Sequence, residues 1–156
     1  MKKPPPIIVS ACLVGKRCRY NGEDRAHARV LRFLRGKNYL AMCPERLAGW
    51  GVPRPPVEFR GGGAKKVAEG KAGIVDDRGR DRTASLLGGV NRALDRAVSS
   101  RASEAILKEK SPSCGVGKVY RDGKLARGEG MFTYWLRRHG IKTRSEESFV
   151  EGARKR

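Results

Sequence analysis

Three short apolar segments that each lead to a cysteine constrain the fold of this chain more than any other feature. They read IIVSAC (7–12), YLAMCPE (39–45) and EAILKEKSPSCG (104–115). Short, uninterrupted apolar runs with β-branched residues are typical of strands that are covered on both faces. Because parallel strands end at a common edge, where open α/β folds bind their ligands, we expect Cys12, Cys43 and Cys114 to meet there.

The segments between and after these strands predict helices and one hairpin. Apolar residues recur at helical spacing in 26–34, 83–100 and 129–140. An Asp-Gly pair between alternating apolar residues in 118–127 is typical of a β-hairpin. We therefore predict an α/β fold: a small parallel, Rossmann-like sheet that is flanked by helices, with a β-hairpin insertion near the C-terminus.

The length of 156 residues is that of one domain, 1–156, in which we expect residues 1–6 and 151–156 to be flexible. Residues 44–63 are rich in proline, glycine and arginine and too long for a simple connection, which predicts a functional loop. Residues 67–82 carry short apolar pieces between repeated turn residues, which predicts irregular or hairpin structure.

The charge of the chain is strongly basic, with 35 Lys and Arg against 16 Asp and Glu and a net charge of +19. Such a charge favours a polyanion such as tRNA as a partner; the alternative is that the composition reflects genome or thermal adaptation. No apolar stretch approaches the roughly 20 residues of a membrane helix, so we expect no membrane partner. In the cytoplasm, where we expect the protein, cysteines are more typical of thiols or metal ligands than of disulfides.

Three gathered thiolates could serve several kinds of site. A structural zinc site usually contains C-x2-C pairs, and a thiol-disulfide enzyme normally has one such pair after its first strand; this spacing does not occur here. An iron-sulfur cluster tolerates dispersed ligands, and with three cysteines one iron keeps an open position. A nucleophilic cysteine and a set of small buried hydrophobic residues are further alternatives, which the spacing leaves open. Cys18, in the loop after the first strand, could join the other three or lie apart.

Polar residues beside the cysteines favour a chemical role. Glu45 follows Cys43 by two residues, and a carboxylate at this edge could move protons; the alternative is an ion pair with Arg46 or Arg54. Gly115 and Gly117 would let backbone amides approach sulfur or a bound anion. Further hydroxyls and cations come from Ser10, Ser111, Ser113, Lys108, Lys110 and Arg19. Trp50, between two glycines, is a candidate for stacking on a base.

Four motifs in order resemble the bacterial thiouracil desulfurase family, also called YbbK-like: VSACLVGKRCRYNG, CPE followed by PRPPVE, AILKEKSPSCG, and the closing SEE. The resemblance implies a [4Fe-4S] cluster on Cys12, Cys43 and Cys114. Its open iron would bind the sulfur of a thiolated nucleobase or nucleoside while water replaces that sulfur at carbon. Glu45 matches the family carboxylate of proton transfer, and either Ser111 or Ser113 matches the family serine.

Departures from the family pattern concern two places. Asn21 stands where the family commonly has aspartate, and Leu87 with Gly88-Gly89 replaces the usual phenylalanine and Gly-Ala. Cys18 matches a position that is not always cysteine, so it stays outside the ligand set as an additional candidate with Arg19, Asn21 and Lys108. Relatives that act on thiolated tRNA carry an additional C-terminal domain without a counterpart here, so a nucleic acid would bind through this domain's own charge.

The expected function is therefore iron-sulfur-dependent desulfuration of a thiolated pyrimidine, as the free base or within RNA. One alternative is a non-catalytic protein that binds RNA or carries a cluster. The other alternative is a structural zinc protein in which Cys18 is the fourth ligand.

Overall fold

A computed structural model describes residues 4–149, which form two four-stranded sheets and five α-helices. In chain order the elements are β1 (Ile7–Ser10), α1 (Ala28–Leu34), β2 (Tyr39–Met42), α2 (Pro44–Leu47), β3 (Val57–Arg60), α3 (Ala64–Ala68), β4 (Gly73–Asp76), α4 (Thr83–Ser99), β5 (Glu104–Leu107), β6 (Lys118–Arg121), β7 (Lys124–Arg127), α5 (Met131–Arg138) and β8 (Lys142–Ser145), with 3₁₀ helices at Ala11–Val14 and Glu146–Ser148.

The first sheet is entirely parallel, in the order β2-β1-β5-β8, which confirms the predicted class. Alternate residues of its central strands face opposite sides. Ile8 and Ala105 pack in the larger core with α4 and α5, whereas Val9 and Ile106 pack in a second core with α1. Burial on both faces explains why these strands read as uninterrupted apolar runs.

The predicted hairpin is present as β6 and β7, and it forms half of a second sheet in the order β4-β3-β6-β7. Its turn residues, Asp122 and Gly123, both have positive φ, as a type I′ turn requires. The segment 44–63, expected to be a loop, contains α2 and β3, and 67–82 contributes β4, which pairs antiparallel with β3. These elements of four residues are too short to show a hydrophobic period in the sequence.

Close approach of α2 and α4 depends on Gly89. A Cβ atom on Gly89 would collide with the Pro44 carbonyl oxygen and would approach the backbone N of Ala48 to 2.6 Å. The glycine that departs from the family pattern therefore seats α2 directly against the long helix.

Trp50 does not face an open groove, so its predicted role in stacking on a base is wrong. The residue is 6% exposed, and its Nε1 donates to Ser85 Oγ at 2.6 Å. The Arg82 guanidinium lies 4.9 Å from the centroid of its ring. The indole is thus a core side chain that joins the 44–63 segment to α4.

The ends predicted to be flexible fall largely on residues 1–3 and 150–156, which lie outside the described residues. Within 4–6, Pro6 is buried, and Asn38 Nδ2 donates to the Pro4 carbonyl at 3.2 Å. Among residues 4–149, no helix has both the length and the apolar composition needed to cross a membrane.

Candidate active site

A cavity of about 460 Å³ at the carboxyl edge of the parallel sheet is lined by all four cysteines. Cys12 follows β1, Cys43 follows β2, and Cys114 lies in the loop after β5. All four are free, and Cys12, Cys18 and Cys114 are at most 8% exposed. Since parallel strands end at one edge, residues far apart in sequence meet in a single cavity.

Cys18, which sequence reasoning left outside the ligand set, lines the cavity with the other three, and its backbone carbonyl oxygen lies 3.9 Å from the Cys43 sulfur. The hydrogen bond with Cys12, together with burial, raises the pKa of Cys18 to about 11. The hydrogen bond with Cys18, together with burial, raises the pKa of Cys43; burial raises the pKa of Cys114 to about 12. These thiols stay protonated at neutral pH unless a metal displaces the proton, because cysteine coordinates as the thiolate.

The donors around the cavity fit an iron-sulfur cluster. Thiolates are the usual ligands of such clusters, and the cavity lies within the roughly 300–1,000 Å³ range of cofactor and ligand sites. In the described part of the chain, no group of three or more His, Cys, Asp or Glu residues is arranged to hold a metal ion. A cluster is larger than one ion, so its protein ligands lie farther apart than those of a zinc site.

Glu45 lies in the first turn of α2 and faces the cavity with one carboxylate oxygen. Its Oε1 is paired with Arg54, at 2.7 Å from Nη2 and 3.1 Å from Nε. Its Oε2 accepts a hydrogen bond from Ser113 Oγ at 3.4 Å. The ion pair and the site location, which the sequence presented as alternatives, are both present, and the arginine orients the carboxylate toward the serine.

The two serines of the SPSC motif have different partners. Ser111 Oγ accepts from the backbone N–H groups of Ser113 at 3.1 Å and Cys114 at 3.0 Å, so it shapes the loop. Ser113 Oγ lies 3.4 Å from Glu45 Oε2 and 3.7 Å from Cys114 Sγ. The two hydroxyls are 3.0 Å apart. Ser113 therefore contacts the chemical groups of the cavity, and Ser111 supports it.

Glu109 is a site residue that sequence reasoning missed. Its Oε1 accepts from the backbone N–H groups of Val116 at 2.6 Å, Gly117 at 2.9 Å and Lys118 at 3.2 Å. Burial opposes its ionisation, but these hydrogen bonds prevail and lower the pKa of Glu109. The anion that we expected near the amides of Gly115 and Gly117 is therefore the carboxylate of Glu109, which belongs to the same loop. The only signal in the sequence was that pair of glycines.

Lys108 lines the cavity, but its charge is paired. Its Nζ lies 3.2 Å from Glu146 Oε2, and its backbone N–H donates to Ser10 Oγ at 2.9 Å. Glu146 Oε1 in turn accepts from the Glu109 N–H at 2.8 Å. Glu146 of the SEE motif therefore holds the start of the loop that carries Cys114.

Of the other two candidates from the first loop, only Arg19 reaches the cavity. Its Nη1 is buried and has no hydrogen-bond partner among the described residues. Asn21 is exposed and forms a local turn, since its Nδ2 donates to Glu23 Oε1 and its Oδ1 accepts from the Glu23 N–H. Asn21 is not among the residues that line the cavity.

Comparisons with known proteins agree with this architecture. The model of the 2-thiouracil desulfurase family matches residues 7–148. The uncharacterized protein YbbK of Bacillus subtilis (strain 168) is 39% identical over 143 residues, which cover 90% of this chain and 95% of that protein. A solved structure of the [4Fe-4S]-dependent thiouracil desulfidase TudS is 38% identical, with a TM-score of 0.78, and the match covers 94% of this chain and 93% of that chain.

Proposed function

The chain belongs to the 2-thiouracil desulfurase family, and from this premise we propose that it is a [4Fe-4S]-dependent enzyme that replaces the sulfur of a thiolated pyrimidine with oxygen. The observation that carries the proposal is that four cysteines, an oriented carboxylate and a buried hydroxyl face one cavity. Neither alternative, a non-catalytic RNA-binding or cluster-carrying protein or a structural zinc protein, gains support from these relatives.

Cys12, Cys43 and Cys114 are the proposed cluster ligands, because Cys12 and Cys43 lie within two residues of the ends of β1 and β2, and Cys114 lies in the loop after β5 at the same edge of the sheet. Cys18 lines the same cavity and is not a proposed ligand. When bound through three cysteines, the cluster supplies one iron without a protein ligand, which can take up sulfur.

Glu45 and Ser113 handle the proton of the attacking water. Glu45 Oε2 is the free carboxylate oxygen of the Arg54 pair and accepts the proton as the water oxygen bonds to the thiocarbonyl carbon. Ser113 Oγ, between Oε2 and the Cys114 sulfur, orients that oxygen. The carbon exchanges its bond to sulfur for a bond to oxygen, and sulfide leaves with its electron pair. The two protons of the water, one of them passed through Glu45, leave with that sulfide as hydrogen sulfide, so no oxidant or reductant is consumed.

Anaerobic purification followed by iron and sulfide analysis, and then incubation with 2-thiouracil or 4-thiouridine, tests the function. We expect a cluster-loaded protein that releases sulfide and the matching oxo-pyrimidine in equal amounts. Stoichiometric zinc without iron after anaerobic reconstitution, or a loaded protein that releases no sulfide from any thiopyrimidine, would overturn the proposal.

A polyanionic partner is the finer part of the proposal. The net charge of +19 would draw RNA that carries the thiolated base to this domain, and the four free cysteines suit the reducing cytoplasm. We expect the affinity for tRNA to fall steeply and log-linearly as salt rises. Binding that is equal at low and high salt would exclude charge as its cause.

A further inference from the structure

Arg19 has a feature that the desulfuration mechanism does not use. Its Nη1 is buried, lies on a side chain that lines the cysteine cavity, and has no hydrogen-bond partner among the described residues. A buried guanidinium N–H without an acceptor carries a desolvation penalty, so a fold retains one only where other contacts hold it in place. A ligand that brings an acceptor would remove that penalty.

The backbone around Arg19 is held independently of its guanidinium. The Arg54 N–H donates to the Tyr20 carbonyl at 2.7 Å, and Arg54 Nη2 donates to the Cys18 carbonyl at 2.8 Å. The Arg19 N–H donates to the Glu23 carbonyl at 3.2 Å. Arg54 therefore fixes the backbone on both sides of Arg19, and this backbone determines where the Arg19 side chain begins.

The acidic residues of the cavity cannot serve as the missing acceptor without losing their own partners. Glu45 is engaged by Arg54 and Ser113. Glu109 is engaged by the backbone amides of its own loop. These are the two carboxylates that line the cavity within the described chain. Neither carboxylate is free for Arg19 Nη1, so an acceptor on a bound molecule would give this donor a partner.

We propose that Arg19 Nη1 donates a hydrogen bond to the ring carbonyl oxygen of the pyrimidine that is not exchanged, and so selects substrates that carry this second carbonyl. The proposal rests on the proposed function for its substrate class. Arg19 lines the cavity that holds the cysteines, and a weakly hydrated base oxygen enters such a cavity at a lower desolvation cost than a strongly hydrated phosphate. Tyr20 and Tyr120, 39% and 47% exposed, line the same cavity, and the Arg19 guanidinium carbon lies 5.7 Å from the centroid of the Tyr20 ring.

A donor of this kind discriminates strongly, because a ligand without the acceptor leaves the N–H unpaired. Uracil and pyrimidin-2-one differ by this one carbonyl, as do 2-thiouracil and pyrimidine-2-thione. The first pair reports binding without turnover, and the second pair reports KM and kcat.

The experiment measures binding of uracil and pyrimidin-2-one to the anaerobic, cluster-loaded protein by calorimetry, for the wild type, Arg19→Ala and Arg19→Lys. We expect the wild type to prefer uracil by about 10- to 100-fold, and Arg19→Ala to abolish that preference. Arg19→Lys, which keeps the charge but not the planar donor, should retain only part of it. In turnover, Arg19→Ala should raise KM for 2-thiouracil with little change in kcat.

Arg17→Ala is the matched control, since Arg17 is an exposed residue of the same loop and does not line the cavity. It removes the same charge and should keep the preference. The proposal is overturned if Arg19→Ala weakens both ligands equally, if it weakens neither, if it alters only the visible absorption of the cluster, or if the wild type binds neither ligand. A wild type that discriminates through Arg19 but releases no sulfide would instead overturn the proposed function alone.

Discussion

At the scale of single residues, the cavity combines groups that are costly to bury with specific partners for each of them. Arg54 and Glu45, 7% and 13% exposed in their side chains, form an ion pair beside the thiols. Arg54 also holds the Cys18 carbonyl, so one guanidinium fixes both the carboxylate and the first loop. Removing either charge would leave the other buried and unpaired, which is more damaging than losing an exposed ion pair.

Substitution of Glu45 by Gln should lower turnover about 10²- to 10⁴-fold, because the amide cannot accept the proton of the attacking water. Iron and sulfide content should stay at the wild-type level, since Glu45 is not a proposed ligand. Sulfide release per cluster is the measurement, and Glu69→Gln, at an exposed position, is the control. Full activity in Glu45→Gln would exclude the assigned role.

Substitutions of the two serines of the SPSC motif should have different effects on turnover and on stability. Ser113→Ala removes the hydroxyl beside Glu45 Oε2 and should reduce kcat while the cluster content is retained. Ser111→Ala removes the acceptor for two backbone amides and should lower the free energy of unfolding by about 1–3 kcal/mol. Thermal unfolding and sulfide release measured together distinguish them; the opposite pattern would reverse the assignment.

The four cysteines also differ in their expected effects. Replacement of Cys12, Cys43 or Cys114 by Ser should abolish stable cluster loading, because each is a proposed ligand. Cys18→Ser should retain iron close to the wild-type content, although it alters the contacts with Cys12 and Cys43. Iron and sulfide analysis of anaerobic samples is the measurement. Loss of iron in Cys18→Ser but not in Cys114→Ser would show that Cys18, and not Cys114, is the third ligand.

At the scale of elements, the loop that joins β5 to β6 is folded around the Glu109 carboxylate. Three consecutive backbone amides, from Val116 to Lys118, converge on its Oε1. Because this contact closes the loop downstream of Cys114, the carboxylate sets the backbone on which that sulfur is mounted. Glu146 then ties the same loop to the end of β8.

Glu109→Ala should destabilise the fold by about 1–3 kcal/mol, since three partly buried or exposed backbone amides lose their acceptor. The lowered pKa of Glu109 adds a pH dependence. Its contribution is complete above the unfolded value of about 4.3 and declines as the pH falls through the folded value. Thermal unfolding of both proteins from pH 7 to pH 3 measures this; stability of Glu109→Ala equal to the wild type at pH 7 would contradict it.

The packing of α2 against α4 offers a matched pair of substitutions. Gly89→Ala would place a methyl group against the Pro44 carbonyl and should destabilise by about 1–3 kcal/mol and lower turnover, because α2 carries Glu45. Gly88→Ala meets only the Arg92 guanidinium, at 3.6 Å, and should stabilise by about 0.5–1 kcal/mol. Thermal unfolding compares them, and equal effects would exclude the close contact as the cause.

At the scale of the whole molecule, both sheets contribute residues to the lining of the cavity. The parallel sheet supplies Cys12, Cys43 and Cys114 from the ends of its strands. The second sheet and its approach supply Arg54 and Tyr120, which line the other side. The site thus depends on both sheets, although the sequence reveals only the first of them clearly.

Four features can be predicted from the sequence alone: the parallel sheet, the long helix, the hairpin turn and the convergence of the cysteines that follow the strands. These features depend on local patterns: apolar runs, helical spacing, the Asp122-Gly123 pair, and the rule that parallel strands share an edge. Such patterns can be recognised because each depends only on residues that are close together in the sequence.

The partners of the individual side chains, by contrast, follow from the contacts between distant segments of the folded chain. They pair Arg54 with Glu45 and give Ser113 and Ser111 different partners. They also place the Cys43 thiol near the Cys18 carbonyl, and the Glu109 carboxylate against the amides of its own loop. These contacts depend on distances and orientations between segments that no local pattern encodes. Several of these groups would be costly to bury alone, so the physical requirement that each find a partner is met only when the whole chain is folded.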